Sequence, residues 1–135
     1  MVLSHLRFHF KGKCLIEKAV IHAPFRFAVD FQDEACFIYF LEGTTRINAP
    51  GEQVDVAEAG AVLLRCGRYF ADLLEFGTAS RYEVLVFHLH PEILREIYRN
   101  EIPDFVRPSE KEGFIHKVAS PDVIGKFIES LVFYF

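Results

Sequence analysis

The sequence predicts a mainly β domain, a sandwich or barrel of short antiparallel strands that gives way to helices toward its C-terminal end. Three observations predict it. Apolar residues alternate in short runs from about Leu3 to His90, the period of strands with one buried face. Glycine, proline and other turn residues punctuate these runs at short intervals, as in all-β sandwiches and barrels. After His90 the apolar spacing lengthens to that of helices.

The expected strands are Leu3–Phe10, Leu15–His22, Phe25–Phe31, Cys36–Glu42, Thr44–Asn48, Gln53–Val56, Ala61–Arg65, Tyr69–Phe76 and Arg81–His90. No helical run separates them, as βαβ units would require. Phe25, Phe27, Val29 and Phe31 fall on one face of their strand, because side chains there repeat every two residues, and that face is expected to be buried. Ala49-Pro50-Gly51-Glu52 suits a type II turn, with Pro fixing φ at the second position and Gly accepting φ > 0 at the third. Glu42-Gly43-Thr44 and Ala59-Gly60-Ala61 mark two further reversals.

Pro91 can open a helix, where its missing N–H is not needed, and Glu92 favours the positive end of the helix dipole. Ile93, Leu94 and Ile97 give that helix a short apolar stripe, and Pro103 bars its continuation. A polar stretch around 108–113 leads to the clearest helix. Ser120-Pro121-Asp122 reads as cap, first residue and first-turn acid. Val123, Ile124, Phe127, Ile128, Leu131, Val132 and Phe135 then repeat at helical spacing. An apolar end such as Leu131-Val132-Phe133-Tyr134-Phe135, with no cap or polar tail, suggests an interrupted chain or a helix completed by a partner.

At 135 residues the chain has the length of one domain, with a barrel over about 3–90 and a helical part over about 91–135. A hydrophobic fraction of 51% supplies a core and excludes disorder. The net charge of −4, with cations scattered singly, excludes a duplex-binding surface of its own. Three widely spaced cysteines, Cys14, Cys36 and Cys66, make poor material for a disulfide framework and suit a reducing cytosol. With no signal-like start and no apolar run approaching about 20 residues, a cytoplasmic protein without a membrane span is expected.

Phe37-Ile38-Tyr39-Phe40-Leu41-Glu42-Gly43, a hairpin, Ala59-Gly60-Ala61-Val62-Leu63-Leu64 and an aromatic-rich strand together resemble the cupin barrel, a jelly roll or double-stranded β-helix. The continuation is more specific. The run from Arg81 to Leu94, then Ile97-Tyr98 and Ile102-Pro103-Asp104-Phe105, resembles the N-terminal effector domain of bacterial transcription regulators of the arabinose-regulator (AraC) type. The resemblance covers roughly Ala35 to Phe105. It implies a cupin-like barrel followed by helices, of which the last supports homodimerisation. It also implies a C-terminal domain with two helix-turn-helix units that carries DNA binding and is absent from these residues.

Cupin metal enzymes draw their ligands from an HxH pair and a Glu ahead of the "LEG" turn, and from a later His. Here 31–36 contains no His, Cys36 stands where the Glu is expected, and Cys66-Gly67-Arg68-Tyr69-Phe70 offers only aromatics. Neither a metal, another cofactor nor a catalytic residue is therefore expected. His88-Leu89-His90 puts two rings on one strand face, but no acid or thiol can be assigned beside them from sequence, and histidines that pack or cap the next helix are the plainer reading. With no GxSxG-like elbow, each cysteine reads as a small buried hydrophobe.

Tyr39, Arg65, Tyr69 and Tyr82 are the candidate polar contacts for a ligand in the barrel, as the resemblance places them near the cupin pocket. The competing reading has the tyrosines packing and Arg65 pointing outward. Phe127, Ile128, Leu131 and Phe135 are the candidate dimerisation residues. The same helix face could instead pack on its own barrel. The expected function is to receive a small-molecule or protein effector and shift a dimer between DNA-binding geometries. A stand-alone small cupin, as a metabolite-binding module or an isomerase-like enzyme, is the alternative.

Overall fold

The computed structural model describes residues 2–31, 34–73, 81–99, 101, 106, 113–118 and 122–133. Its strands are β1 (Val2–Phe10), β2 (Lys13–His22), β3 (Phe25–Phe31), β4 (Ala35–Glu42), β5 (Thr45–Ala49), β6 (Glu52–Val56), β7 (Ala61–Leu64), β8 (Gly67–Leu73), β9 (Arg81–Leu89) and β10 (Ile115–Val118). Two helices, α1 (Pro91–Ile97) and α2 (Asp122–Val132), complete it. All nine expected strands are present. The tenth, β10, falls where the sequence reads only as a polar approach to α2.

The strands form two sheets, in the orders β1-β2-β9-β4-β7-β10 and β3-β8-β5-β6. Every pairing is antiparallel. The period of two sorts each strand of the larger sheet. On β4, Cys36, Ile38 and Phe40 enter the interior core with Val62 and Leu64 of β7, Val84 of β9, and Phe31, Ile47 and Ala71 of the smaller sheet. Their neighbours Phe37, Tyr39, Leu85 and Phe87 face the other way and receive α2. Sheet and helix thus share one strand layer, wet on neither side.

The turns follow their residues. Gly51 takes φ +74, as a type II turn requires, and Ala49 pairs with Glu52 across it. Gly43 sits at φ +96, and a Cβ there would collide with the Tyr82 ring, so both backbone and packing demand glycine. At the next reversal the left-handed residue is Ala59 (φ +60) rather than Gly60. The space at Gly60 is closed instead by the Ala57 carbonyl, 2.7 Å from where a Cβ would lie. Glu52 ties β10 in place, accepting the Phe114 N–H at 2.5 Å and the Ile115 N–H at 3.0 Å.

Two expectations change. The Phe25–Phe31 face is graded rather than buried: Phe31 lies in the core, but Phe27 is exposed, because this strand runs out to the barrel mouth. Strand β8 begins at Gly67 and is described to Leu73, so 74–76 lie outside the described residues. Ser120 and Pro121, read as cap and first helical residue, lie outside them too, and α2 is described from Asp122.

Candidate effector cavity

Between the two sheets the interior is not filled. A cavity of about 220 Å³ lies between Ile38, Phe40, Val84 and Val86 on one sheet and Ile47 and Ala71 on the other. An engineered apolar cavity of about 150 Å³ admits benzene, so a solute of one ring with a short substituent fits this one. Phe25, Phe27 and Val2 line its outer part, which explains why apolar side chains remain exposed there.

Three side chains bring polar atoms to its wall: Thr45, Glu17 and His5. Thr45 is 5% exposed, and among the described residues its hydroxyl has no hydrogen-bond partner. A buried hydroxyl left unsatisfied carries a penalty of about 1–3 kcal/mol, which a ligand atom could relieve. Thr45→Val is therefore expected to stabilise the ligand-free chain by about 1 kcal/mol, measured by urea unfolding. A loss of stability would mean that the hydroxyl already has a partner.

Glu17 takes both imidazoles of its neighbours: His5 at 2.7 Å on one carboxylate oxygen, and His88 on the other. Burial raises the pKa of Glu17, but the hydrogen bonds from His88 and His5 outweigh it, and the net value lies below the ordinary one. The carboxylate is the form held.

The four sequence candidates for ligand contacts stand elsewhere, and none of them lines this cavity. Tyr39 packs on the helix side of its strand with Leu85 and Ile128, because the inward residues of β4 are the even-numbered ones. Tyr82 packs with Ile21, Ala23 and Leu73. Arg65 and Tyr69 do come together. The Tyr69 hydroxyl donates to the Arg65 carbonyl (2.5 Å), with the Phe114 carbonyl at 3.0 Å, and the Arg65 guanidinium donates to the Gly113 carbonyl (3.3 Å). Arg65 is buried, not outward-pointing. The pair fastens β7 and β8 to the approach of β10, and burial raises the Tyr69 pKa, keeping it protonated.

The dimerisation candidates divide. Ile128 is 2% exposed and seats α2 on its own barrel, with Ile124 and Val132 beside it. Phe127 is 54% exposed, its ring 6.2 Å from that of Phe87, and Phe133 is 86% exposed. Leu131 is half-buried, and Phe135 lies outside the described residues.

The histidines of β9 also depart from the plain reading. His90 is the N-cap residue of α1 but makes no side-chain cap bond. Its Nε2 lies 2.6 Å from the Cys14 carbonyl and its Nδ1 3.2 Å from Glu34. The three cysteines are free thiols, as their spacing suggests. Among the described residues no helix is long and apolar enough to cross a membrane.

Comparison with solved structures agrees with this architecture. The chain is similar to the plu4264 protein of Photorhabdus luminescens (11% identity, 71% of this chain and 81% of that one, TM-score 0.54). It is similar to a Cupin 2 conserved barrel domain protein of Salinispora arenicola (10% identity, 70% and 82%, TM-score 0.54). It also resembles the CENP-C cupin domain of Drosophila melanogaster (9% identity, 65% and 74%, TM-score 0.52). At these identities the likeness establishes the cupin fold alone. No curated protein sequence matches the chain. The sequence model of the ExsA N-terminal regulatory domain matches residues 35–135, well over half of the chain, and it bears out the resemblance drawn from the residues. The chain is a cupin-like barrel belonging to the family of ExsA N-terminal regulatory domains.

Proposed function

We propose that this domain senses an effector and dimerises within an AraC-type transcription regulator, and so controls DNA binding by a C-terminal helix-turn-helix domain. The observation that carries this reading is the shared layer of β4 and β9. Ile38, Phe40, Val84 and Val86 line the cavity, while their sequence neighbours Tyr39, Leu85 and Phe87 carry α2. A solute that displaces the inner residues moves the outer ones, because a packed layer transmits strain rather than absorbing it. Helix α2 in turn offers Phe127, and Phe133 just past its end, to a second copy. An effector shifts the regulator only as far as it binds the two dimer geometries unequally.

The cavity favours a small, largely apolar effector with one hydrogen-bonding group for Thr45. The acidic balance leaves DNA contact to the other domain. The domain itself is read as non-enzymatic and cytoplasmic. Burial raises the pKa of Cys14 and Cys36, with Glu17 adding to the shift at Cys14, so neither stands ready as a thiolate nucleophile.

The test is a fusion of residues 1–135 to a helix-turn-helix DNA-binding domain stripped of its own dimerisation element. Restored operator repression in a bacterial reporter is expected. Repression no better than that of the unfused DNA-binding domain would refute the dimerising role.

A further inference from the structure

The cupin motif positions lack the expected His and Glu ligands in this sequence, yet the structure gathers a different donor set around Glu17, which lines the cavity. The ligand atoms of Cys14 and Glu17 on β2 and of His88 on β9 lie within 4.8 Å of one another. We propose that these three residues form a binding site for a divalent transition-metal ion of the zinc class, with a fourth position left to solvent or a bound solute.

The chain arranges this in three steps. Glu17 and His88 both belong to the inner faces of their strands, where β2 and β9 pair directly through Glu17 and Val86. Cys14 would fall on the opposite face by strict alternation. The pairing of β1 with β2 shifts register where Phe8 and His9 meet Ile16 and Cys14, and the extra residue, Leu15 of β2, breaks that alternation. The thiol thereby comes to the side of Glu17, where it donates to the Ile16 carbonyl at 3.8 Å.

The outer partners are those a metal site needs. His5 holds the Glu17 oxygen that His88 does not use, at 2.7 Å. His90 holds the backbone of Cys14 and is itself fixed by Glu34. Its ring stacks on His88 with centroids 5.7 Å apart. Such second contacts orient ligands, and removing them weakens metal binding about 10–100-fold.

The donor chemistry selects the ion. A thiolate, an imidazole and a carboxylate suit zinc or its neighbours, whereas magnesium and calcium call for oxygen alone. In a tetrahedral zinc site, donors about 2.0–2.3 Å from the ion stand roughly 3.5 Å apart. The widest separation needs to close by about an ångström, while the Glu17 carboxylate and His88 ring, now hydrogen-bonded to each other, move apart to admit the ion. Both adjustments are within the reach of side-chain rotation. Binding displaces the Cys14 proton, and the thiolate and carboxylate together neutralise the dication.

This site does not depend on the regulatory reading, and either can fail alone. The test uses the chain dialysed free of metal and then titrated with Zn²⁺ or Co²⁺ alone. One ion per chain is expected, and the Co²⁺ form should show an intense near-ultraviolet thiolate-to-cobalt band with tetrahedral visible absorption. Cys14→Ser should abolish that band, and His88→Ala should weaken Zn²⁺ binding at least about 10-fold. His116→Ala, on the distant strand β10, should change neither. Absence of stoichiometric uptake would overturn the proposal, as would a Co²⁺ spectrum without the thiolate band. Uptake lost in His116→Ala but kept in His88→Ala would do the same. The Co²⁺ spectrum of the unaltered chain decides the matter even if a variant fails to fold.

Discussion

Replacing Phe127 and Phe133 together with Asp is expected to weaken the proposed dimer at least about 100-fold while leaving the barrel folded. Both rings already face solvent, Phe127 on α2 and Phe133 just past its end, at 54% and 86% exposed. A two-fold interface would bury each of them twice. Full burial of one such side chain contributes about 1.5–3 kcal/mol, so four rings partly covered exceed the 2.8 kcal/mol or so that a 100-fold change represents. Opposed carboxylates would add repulsion. The folded monomer loses little, since exposed positions seldom contribute more than about 0.5 kcal/mol, although Phe127 gives up its contact with Phe87. Sedimentation equilibrium with thermal unfolding reads both quantities. A dimer constant unchanged by the pair of substitutions would place the interface somewhere other than α2.

Ile128→Ala should have the opposite signature. Ile128 lies one residue beyond Phe127, yet it is buried against Tyr39 and Leu85. Truncating it leaves a cavity under the helix and is expected to cost about 2–5 kcal/mol of folding stability, seen as a lower urea midpoint. The loss should be the same at low and high protein concentration, because the contact is internal. If the loss vanished at concentrations where the chain is monomeric, Ile128 would be an interface residue and the observed seating of α2 would be the wrong one in solution.

These neighbours illustrate what the sequence makes legible. Strand periodicity and the Pro50-Gly51 turn are local, and local signals sufficed to place nine strands and both helices. The apolar face of α2 was equally plain. Which part of it stays at home was not, because Ile128 and Phe127 differ only by 100° of helical rotation. The face of a strand is also hidden in its own sequence. β4 is apolar at both parities from Ala35 to Leu41, since one side meets the cavity and the other meets α2. Alternation therefore cannot tell that Tyr39, which the resemblance places near the pocket, stands behind the cavity.

The donor cluster shows the same limit more sharply. His88 and His90 were visible as a spaced pair, but Cys14 and Glu17 lie over seventy residues earlier, and only the pairing of β2 with β9 brings them together. A sequence motif could not have announced the site, because its spacing belongs to the sheet and not to the chain. Strand β10 was missed for a related reason. Four residues, Ile115–Val118, are too short to display a period and are strand only because β7 offers them an edge.

The contents of the barrel and the affinity of the proposed dimer are expected to be linked through β4 and β9. Ala71 lines the cavity from the opposite sheet, so Ala71→Phe places a ring where an effector would lie without touching α2. The decisive measurement is the dimer dissociation constant of this variant beside that of the unaltered chain, by sedimentation equilibrium. Linkage predicts a dimer whose constant changes by about 10-fold or more, equivalent to about 1.4 kcal/mol of coupling. Identical constants for two folded proteins, or a chain that stays monomeric throughout, would contradict it.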